Sequence, residues 1–468
     1  MEKILHRVGS WLHGVFEEEK RAGQNTSITV LDGVRACAIL LVITFHISYT
    51  THNNLWDWHT NPLASSLAVA GVSGVNLFFV LSGFLLFLPY AKALLLAGRR
   101  PLARSFYVRR AMRIMPGYYF SLIVLILLTA PKYLRPENWG KLALFVTFLM
   151  DSSRSTFRLL NGPYWTLAVE WQFYMVFPFI MLGIFWLVKR VPIARRLRAV
   201  TFCLCGVIAA GLLVRFAGLY LSKHPVNIFF IPQSFLNVLL FFSFGIVGKY
   251  LEEFTVGMLC SLIYVYTQTL TPEHSFVQRL RRLSPWFWGA GILIWLFCAM
   301  WNFQSNPATP AWPFLDPLMP YFTWLNEMGF TIAYGLGILA ILFGSGELQR
   351  LFAWRPLRWL GLISYSLYIW HLPLMTFGHY LMPGYDHWNK FAAYGFDWAW
   401  MILVALPFCI LLYALIERPG MKIGSRWRKA LEARYRSREQ KLEGNSSQRT
   451  KQEVSCSGRD RSPAQVRR

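Results

Sequence analysis

Long apolar stretches dominate the chain, and short polar connections separate them. Each stretch runs for about 17–25 residues, the length that an α-helix needs to cross the hydrocarbon core of a bilayer. Within lipid every backbone amide must be paired inside its own segment, so these stretches are predicted to be helices. We place ten spans at 30–51, 71–97, 114–130, 163–188, 199–221, 232–250, 286–302, 327–345, 360–381 and 397–417.

Two further apolar segments, 141–150 and 257–270, are too short to cross a bilayer and are predicted to be interfacial or re-entrant helices. The predicted fold is therefore an all-α polytopic membrane protein, a bundle of about ten transmembrane helices. The pattern divides the chain into a segment 1–29, a transmembrane domain 30–419 and a basic tail 420–468. The tail is expected to begin as a surface helix over 421–442 and to end in a disordered stretch.

Composition agrees with this division. Of the 468 residues, 55% are hydrophobic and 15% are charged, whereas soluble domains carry about a quarter charged residues. The first 29 residues lack a continuous apolar core, so we expect no cleavable signal peptide. The seven cysteines lie mostly within apolar stretches and show no metal-ligand spacing. The sequence therefore predicts neither a disulfide framework nor a metal site.

The net charge of +24 would suggest nucleic acid as a partner if the chain were soluble. The ten spans, however, place 36 of the 47 Lys and Arg residues on the side of the N-terminus and 7 on the opposite side. Cytoplasmic connections of membrane proteins carry such an excess. We therefore predict a multi-pass protein of the plasma membrane with both termini in the cytoplasm, and no nucleic-acid partner.

The first span carries two ionisable side chains, which are costly in a membrane and often functional. Arg35 and His46 are eleven residues apart, so they lie on one helix face, about 16 Å apart by helical rise. Arg35 near the cytoplasmic end could also be an anchor that reaches the membrane surface. His46 in the outer half of the span could also be a packed histidine that bonds to a neighbouring helix.

The fourth span contains one carboxylate, Glu170, about 10 Å below its outer end by helical rise. Counting residues places His46 at a similar depth, so the two side chains could pair. Such a pair would orient the imidazole for general-base catalysis. The alternative is a structural hydrogen bond between helices.

Three arginines, Arg109, Arg110 and Arg113, precede the third span. One interpretation is a charge cluster that orients the helix at the membrane surface. The other is a site for phosphate groups, because guanidinium groups bind phosphate oxygens through paired N–H donors.

Other polar side chains support less specific hypotheses. The second span holds Gly71, Gly74, Ser82 and Gly83, small residues that favour close helix packing. Packing is the favoured role for Ser82, because no activating base marks it as a nucleophile. In the ninth span Ser364 and His371 lie on one face, where packing or hydrogen bonding explains them as well as catalysis does. The run Ile416-Glu417-Arg418-Pro419 predicts a helix stop with an ion pair at the membrane surface.

The order of these pieces resembles the acyltransferase-3 family of membrane acyltransferases. The pieces are the Arg–His first span, GVNLFFVLSGFLL, FYVRRAMRIMP, PYWTLAVEWQFY, LGLISYSLYIWH and the terminal IERP, and they extend from Leu31 to Pro419. In that family the first-span Arg and His are regarded as essential, and they match Arg35 and His46. The resemblance extends to the arginine cluster and to Glu170. Asn76 departs from it, because many members carry Asp at that position.

The resemblance implies transfer of an acyl group, by default acetyl from acetyl-CoA, to a hydroxyl of a cell-surface glycan or another glycosylated or lipid acceptor. The expected mechanism places the phosphates of acyl-CoA near Arg35, Arg109, Arg110 and Arg113. The pantetheine arm would extend to His46, the general base, with Glu170 orienting it. Direct transfer and an acyl-enzyme both stay open, as does the oligomeric state.

Two rival functions are weighed against this one. A transporter or flippase would also line a path with intramembrane charges, but no internal repeat is evident. A binding or sensory protein could keep the fold and lose the chemistry, although Arg35, His46 and Glu170 are all retained.

Overall fold

The computed structural model describes residues 26–50, 59–96, 98–224, 232–435 and 437, and within them the chain forms helices and no β-strand. The helices are α1 (Thr26–Thr50), α2 (Pro62–Leu95), α3 (Ala103–Thr129), α4 (Trp139–Val146), α5 (Tyr164–Val188), α6 (Ile193–Lys223), α7 (Gln233–Ser243), α8 (Leu251–Thr267), α9 (Ser275–Gln304), α10 (Pro313–Phe343), α11 (Gly346–Phe352), α12 (Arg355–Leu362), α13 (Ser364–Leu381) and α14 (Lys390–Tyr435).

Eight of these helices are long and apolar enough to cross a membrane: α1, α2, α3, α5, α6, α9, α10 and α14. The pair α12 and α13 forms a ninth candidate, broken by a bend of 71°. Each long helix pairs its backbone amides internally, as lipid requires. The predicted class, an all-α polytopic membrane protein, is confirmed.

The predicted sixth span at 232–250 is wrong. Helix α7 ends after 11 residues at Ser243, because Gly245 and Gly248 follow with φ of 69° and 102° and turn the chain. Such positive φ angles cost glycine little and interrupt a helix. The segment 257–270, predicted to be interfacial, instead belongs to the largely buried helix α8. The first turn of α8 contains Glu252 and Glu253, which interrupt the apolar pattern, so hydropathy does not mark this helix as a span.

Helix α8 packs against α2 at the centre of the bundle. A methyl group added to Gly83 would collide with the carbonyl oxygen of Phe254, and one added to Gly257 would collide with that of Val80. The two backbones therefore approach as closely as small residues allow. Gly71 and Gly74 make the corresponding approach to α1. The predicted packing role is confirmed for the three glycines of the second span.

The two ends of the bundle differ in charge. We call the end where α1 begins, with the connections 96–102 and 189–192, the basic face, and the opposite end the far face. Helix α14 passes through Pro419 and continues to Tyr435, so the predicted helix stop is wrong. Glu417 is buried and accepts a hydrogen bond from Ser366 of α13. Residues 1–25 and the end of the tail lie outside the described residues.

Candidate active site

A cavity opens between α2, α3, α5 and α13, with Arg35 of α1 at its side. Its α2 wall extends from Leu85 to Val75, which is about 15 Å by helical rise. Six of the predicted residues line it: Arg35, Ser82, Arg110, Arg113, Glu170 and Ser364. The cavity is charged toward the basic face and uncharged toward the far face.

Three arginines surround the basic end of the cavity. Arg35 donates to Asp32, one turn earlier in α1, at 3.1 Å. The guanidinium of Arg110 lies 5.5 Å from the ring centre of Tyr174, and its Nε is buried without a hydrogen-bond partner. Arg113 contacts the sulfur of Met421 at 3.5 Å. Asp32 is bonded to Arg35. With three guanidinium groups around it, this end of the cavity is cationic and suits an anionic ligand.

Arg109 does not line the cavity. Its helix position, next to Arg110 but on another face, turns it toward Arg428 and Glu432 of α14. The predicted grouping of Arg109 with the other arginines around one ligand is therefore wrong for the described cavity.

Glu170 is bonded within the middle of the cavity. Its carboxylate accepts hydrogen bonds from Ser82 Oγ at 2.6 Å and from the Tyr174 hydroxyl. Ser82 therefore faces a carboxylate, which its local sequence does not reveal. These bonds hold the Glu170 carboxylate between the arginines and the uncharged end of the cavity.

Thr166 and Tyr368 close the end of the cavity toward the far face. The Thr166 hydroxyl donates to the carbonyl of Pro163 at 2.9 Å, so it accepts from the Tyr368 hydroxyl, 2.5 Å away. The Tyr368 ring also packs edge-on against Phe78, with ring centres 5.8 Å apart. Beyond it lies His371, whose ring centre is 6.0 Å from that of Tyr368. Tyr368 thus separates the cavity from the histidines.

His46 and His371 form a pair next to this closed end. Their ring centres are 4.8 Å apart, and His371 Nε2 lies 3.2 Å from His46 Nδ1. Each Nδ1 faces a carbonyl oxygen of its own helix, Val42 for His46 and Leu367 for His371, so each Nδ1 carries the proton. His371 Nε2 then accepts from His46, and the lone pair of His46 lies on Nε2. This tautomer lets His46 act as a base.

The predicted pairing of Glu170 with His46 is wrong. Asn161, just before α5, donates to the carbonyl of Ile369, two residues from His371, at 2.8 Å. Helix α5, the fourth span, therefore begins at the level of the histidines, and the connection before it covers this end. Glu170 lies six residues after the first residue of α5, Tyr164, which is about 9 Å closer to the basic face by helical rise. His371 occupies the place beside His46 that was predicted for Glu170.

Asn76 belongs to a buried cluster of charged side chains that the sequence pattern did not predict. Its amide nitrogen donates to both oxygens of Glu253 at 3.1 and 3.0 Å and to Glu327 at 2.6 Å. Arg215 pairs with Glu252 at 2.7 Å and with Glu253 at 3.4 Å. An aspartate at position 76 would add a fourth carboxylate to a single arginine, so the neutral amide suits this chain. The sequence feature that could have revealed this cluster is Arg215, a charged residue within a predicted span.

The described side chains do not form a recognisable metal site. Among the described residues, no group of three or more His, Cys, Asp and Glu side chains is arranged to hold a metal ion. The polar groups that line the cavity are guanidinium groups, hydroxyls and the Glu170 carboxylate, a set that suits an organic anion.

The fold and cavity together define a polytopic membrane protein with an anion-binding interior. A family model described as an acyltransferase domain matches residues 28–418, so the chain belongs to the acyltransferase-3 family. The resemblance seen in the sequence is confirmed. No solved structure matches the chain.

Curated relatives carry related names. The predicted peptidoglycan O-acetyltransferase YrhL of Bacillus subtilis is 25% identical over 74% of this chain and 48% of its own length. The peptidoglycan O-acetyltransferase OatA of Listeria monocytogenes is 24% identical over 74% of this chain and 49% of its own. A predicted O-acetyltransferase of Staphylococcus aureus is 25% identical over 84% and 57%. The chain thus spans about half the length of the curated relatives it matches.

Proposed function

We propose that the protein is an O-acyltransferase that moves an acetyl group from acetyl-CoA to a hydroxyl of a cell-envelope glycan. The observation that carries this proposal is the cavity, which leads from Arg35, Arg110 and Arg113 to the wall beside His371 and His46. The names of the relatives support O-acetyl transfer. The excess of Lys and Arg on the basic face supports a cytoplasmic position for the arginines, where acetyl-CoA is available.

In this proposal the arginines bind the phosphates of the donor, since guanidinium groups match phosphate oxygens in charge and geometry. The cavity length of about 15 Å, from the helical rise along α2, is of the order of the extended pantetheine arm. The thioester then lies at the end closed by Thr166 and Tyr368. Glu170, Ser82 and Ser364 line the path of the arm and position it by hydrogen bonds.

The acceptor enters from the far face and reaches His46. Nε2 of His46 removes the hydroxyl proton while the oxygen attacks the thioester carbonyl. The new ester bond forms, the carbon–sulfur bond breaks, and the thiolate of CoA leaves and takes up a proton. His371 Nε2 accepts from His46 Nδ1 and stabilises the imidazolium in between. Movement of the Tyr368 ring brings the thioester and His46 together.

The test uses purified protein with acetyl-CoA labelled in the acetyl group and glycan fragments from the envelope of the cells that express it. We expect acetyl-ester label on the fragments together with release of CoA in equal amount. A transporter would give neither product. Absence of both with correctly folded protein would contradict the proposed function.

A further inference from the structure

The far face carries few basic residues, and most of them lie in one connection. With Lys249 before α8 included, five of the eight Lys and Arg residues on that side fall within 131–162, between α3 and α5. Positive charge is disfavoured in such connections when the far side is external. A concentration of five in one place therefore needs a local reason.

Arg158 in this connection is held in a defined position. Its side chain is exposed, and its backbone has φ of 59°, a conformation that non-glycine residues rarely adopt. The guanidinium carbon lies 4.9 Å from the ring centre of Phe157 and 5.5 Å from that of Trp165. Across the described parts of the chain, no carboxylate forms a salt bridge with Arg158. The Arg158 guanidinium therefore lies against two aromatic rings and forms no salt bridge within the described residues.

The same connection is seated on the histidine pair. Asn161 donates to the carbonyl of Ile369, and Gly162 lies against Leu372, so this connection contacts α13 at residues on either side of His371 in the sequence. Trp165, the platform under Arg158, precedes Thr166, which bonds to Tyr368. The charge of Arg158 acts on both His46 and Tyr368. Arg158 therefore stands at the entrance that an acceptor from the far face would use.

We propose that Arg158 binds a carboxylate of the acceptor, so that the substrate class is an acidic glycan rather than a neutral one. The inference rests on the proposed function and names its acceptor. Guanidinium binds carboxylate through two parallel N–H donors. Contact with the faces of Phe157 and Trp165 holds the Arg158 guanidinium without using an acid of the described chain. An acidic group on Arg158 would hold a neighbouring hydroxyl toward His46. The transfer step itself is unchanged.

The experiment compares two forms of one acceptor. Envelope glycan fragments are used as released and after conversion of their carboxyl groups to methyl amides, which removes the charge and leaves the hydroxyls. With labelled acetyl-CoA, wild-type protein should label the native fragments at least tenfold more efficiently, by kcat/KM, than the blocked ones. In Arg158→Gln this ratio should fall to about one through a higher KM for native fragments, and Arg158→Lys should recover part of it.

Arg154→Gln is the matched control, because Arg154 is an exposed arginine four residues earlier in the same connection. It should keep the wild-type ratio. Equal labelling of native and blocked fragments by wild-type protein would overturn the inference and leave the proposed function standing. Retention of the ratio in Arg158→Gln would overturn it as well. Failure of wild-type protein to label either form would instead contradict the proposed function, and the inference would fall with it.

Discussion

In the proposed mechanism the histidine pair supplies the chemistry of the site at the scale of single residues. His46 can act as a base because its Nδ1 proton is committed to Val42 and His371, which leaves the lone pair on Nε2. His371 is fixed in turn by the Leu367 carbonyl and has 1% of its surface exposed. The pair is therefore rigid, and its second member replaces the carboxylate that often orients a catalytic histidine.

Replacement of His46 tests the base directly. His46→Ala should lower kcat for acetyl transfer by about 10²–10⁴-fold, the usual contribution of a general base, while the protein still folds. His371→Gln, which disturbs only the partner, should cost about tenfold. The measurement is label transfer from acetyl-CoA, with His387→Ala in an exposed connection as the control. Normal transfer by folded His46→Ala would contradict the assignment.

Glu170 should behave differently from His46, because in the proposed mechanism it lies on the path of the donor, where it accepts hydrogen bonds from Ser82 and Tyr174. Glu170→Gln should raise the KM for acetyl-CoA about tenfold, the loss of one good charge-assisted hydrogen bond, with kcat within about threefold. Steady-state kinetics at varied acetyl-CoA separate the two constants. A loss of kcat as large as that of His46→Ala would instead make Glu170 part of the catalytic step.

Residue patterns predicted part of this site. The charged residues of the spans, Arg35 and Glu170, were found because ionisable groups in a membrane are rare. Their partners were not, because contacts between helices depend on depth and rotation that one sequence does not contain. The depth of Glu170 was misjudged since the fourth helix begins beneath a covering connection. Tyr368 escaped attention because aromatic residues are abundant in every span.

At the scale of elements, the contact of α2 with α8 positions the cavity wall. Phe79 lines the cavity, and behind it Phe254 of α8 stacks on Phe173 of α5 with ring centres 3.9 Å apart. Gly83 and Gly257 make this contact possible. The sequence predicted the small-residue face of α2. It did not predict α8 as its partner, because two buried glutamates gave that helix the composition of a surface segment.

Gly83→Ala should therefore destabilise the fold. The added methyl group meets the Phe254 backbone, which cannot rotate away, and overpacking of this kind costs about 1–3 kcal/mol or more. Thermal unfolding in detergent should show a lower Tm. Gly289→Ala in α9 is the matched control, since nothing lies within 4 Å of its added methyl group. An equal Tm for the two variants would show that the close approach of α2 and α8 is absent.

At the scale of the whole molecule, the distribution of charge agrees with the order in which the helices cross between the basic face and the far face. With α8 as a crossing and α12 with α13 as one broken span, the described helices would make ten crossings, and α14 would end on the face where α1 begins. The sequence placed the sixth crossing at 232–250, whereas the longer buried helix in that region is α8. The bend of 71° before Ser364 was not predicted, because Gly361, three residues earlier, is a single glycine within an apolar stretch.

Sidedness can be measured with single cysteines in a protein whose native cysteines are replaced. The three positions to be replaced by cysteine are Gly98 and Glu273, in connections at the basic face, and Asn306, at the far face. A membrane-impermeant thiol reagent added to intact cells should label only position 306, and permeabilised cells should show all three. Labelling of position 273 from outside would mean that α8 does not cross the membrane.

We propose that acetyl passes through the protein from a donor at the basic face to an acceptor at the far face. The direct measurement uses sealed vesicles that contain the purified protein in known orientation, with labelled acetyl-CoA on the basic side and glycan fragments on the other. The account predicts acetyl ester on the far-side fragments, free CoA on the basic side, and loss of both in His46→Ala. Acetyl ester that forms only when donor and acceptor share one side would contradict it.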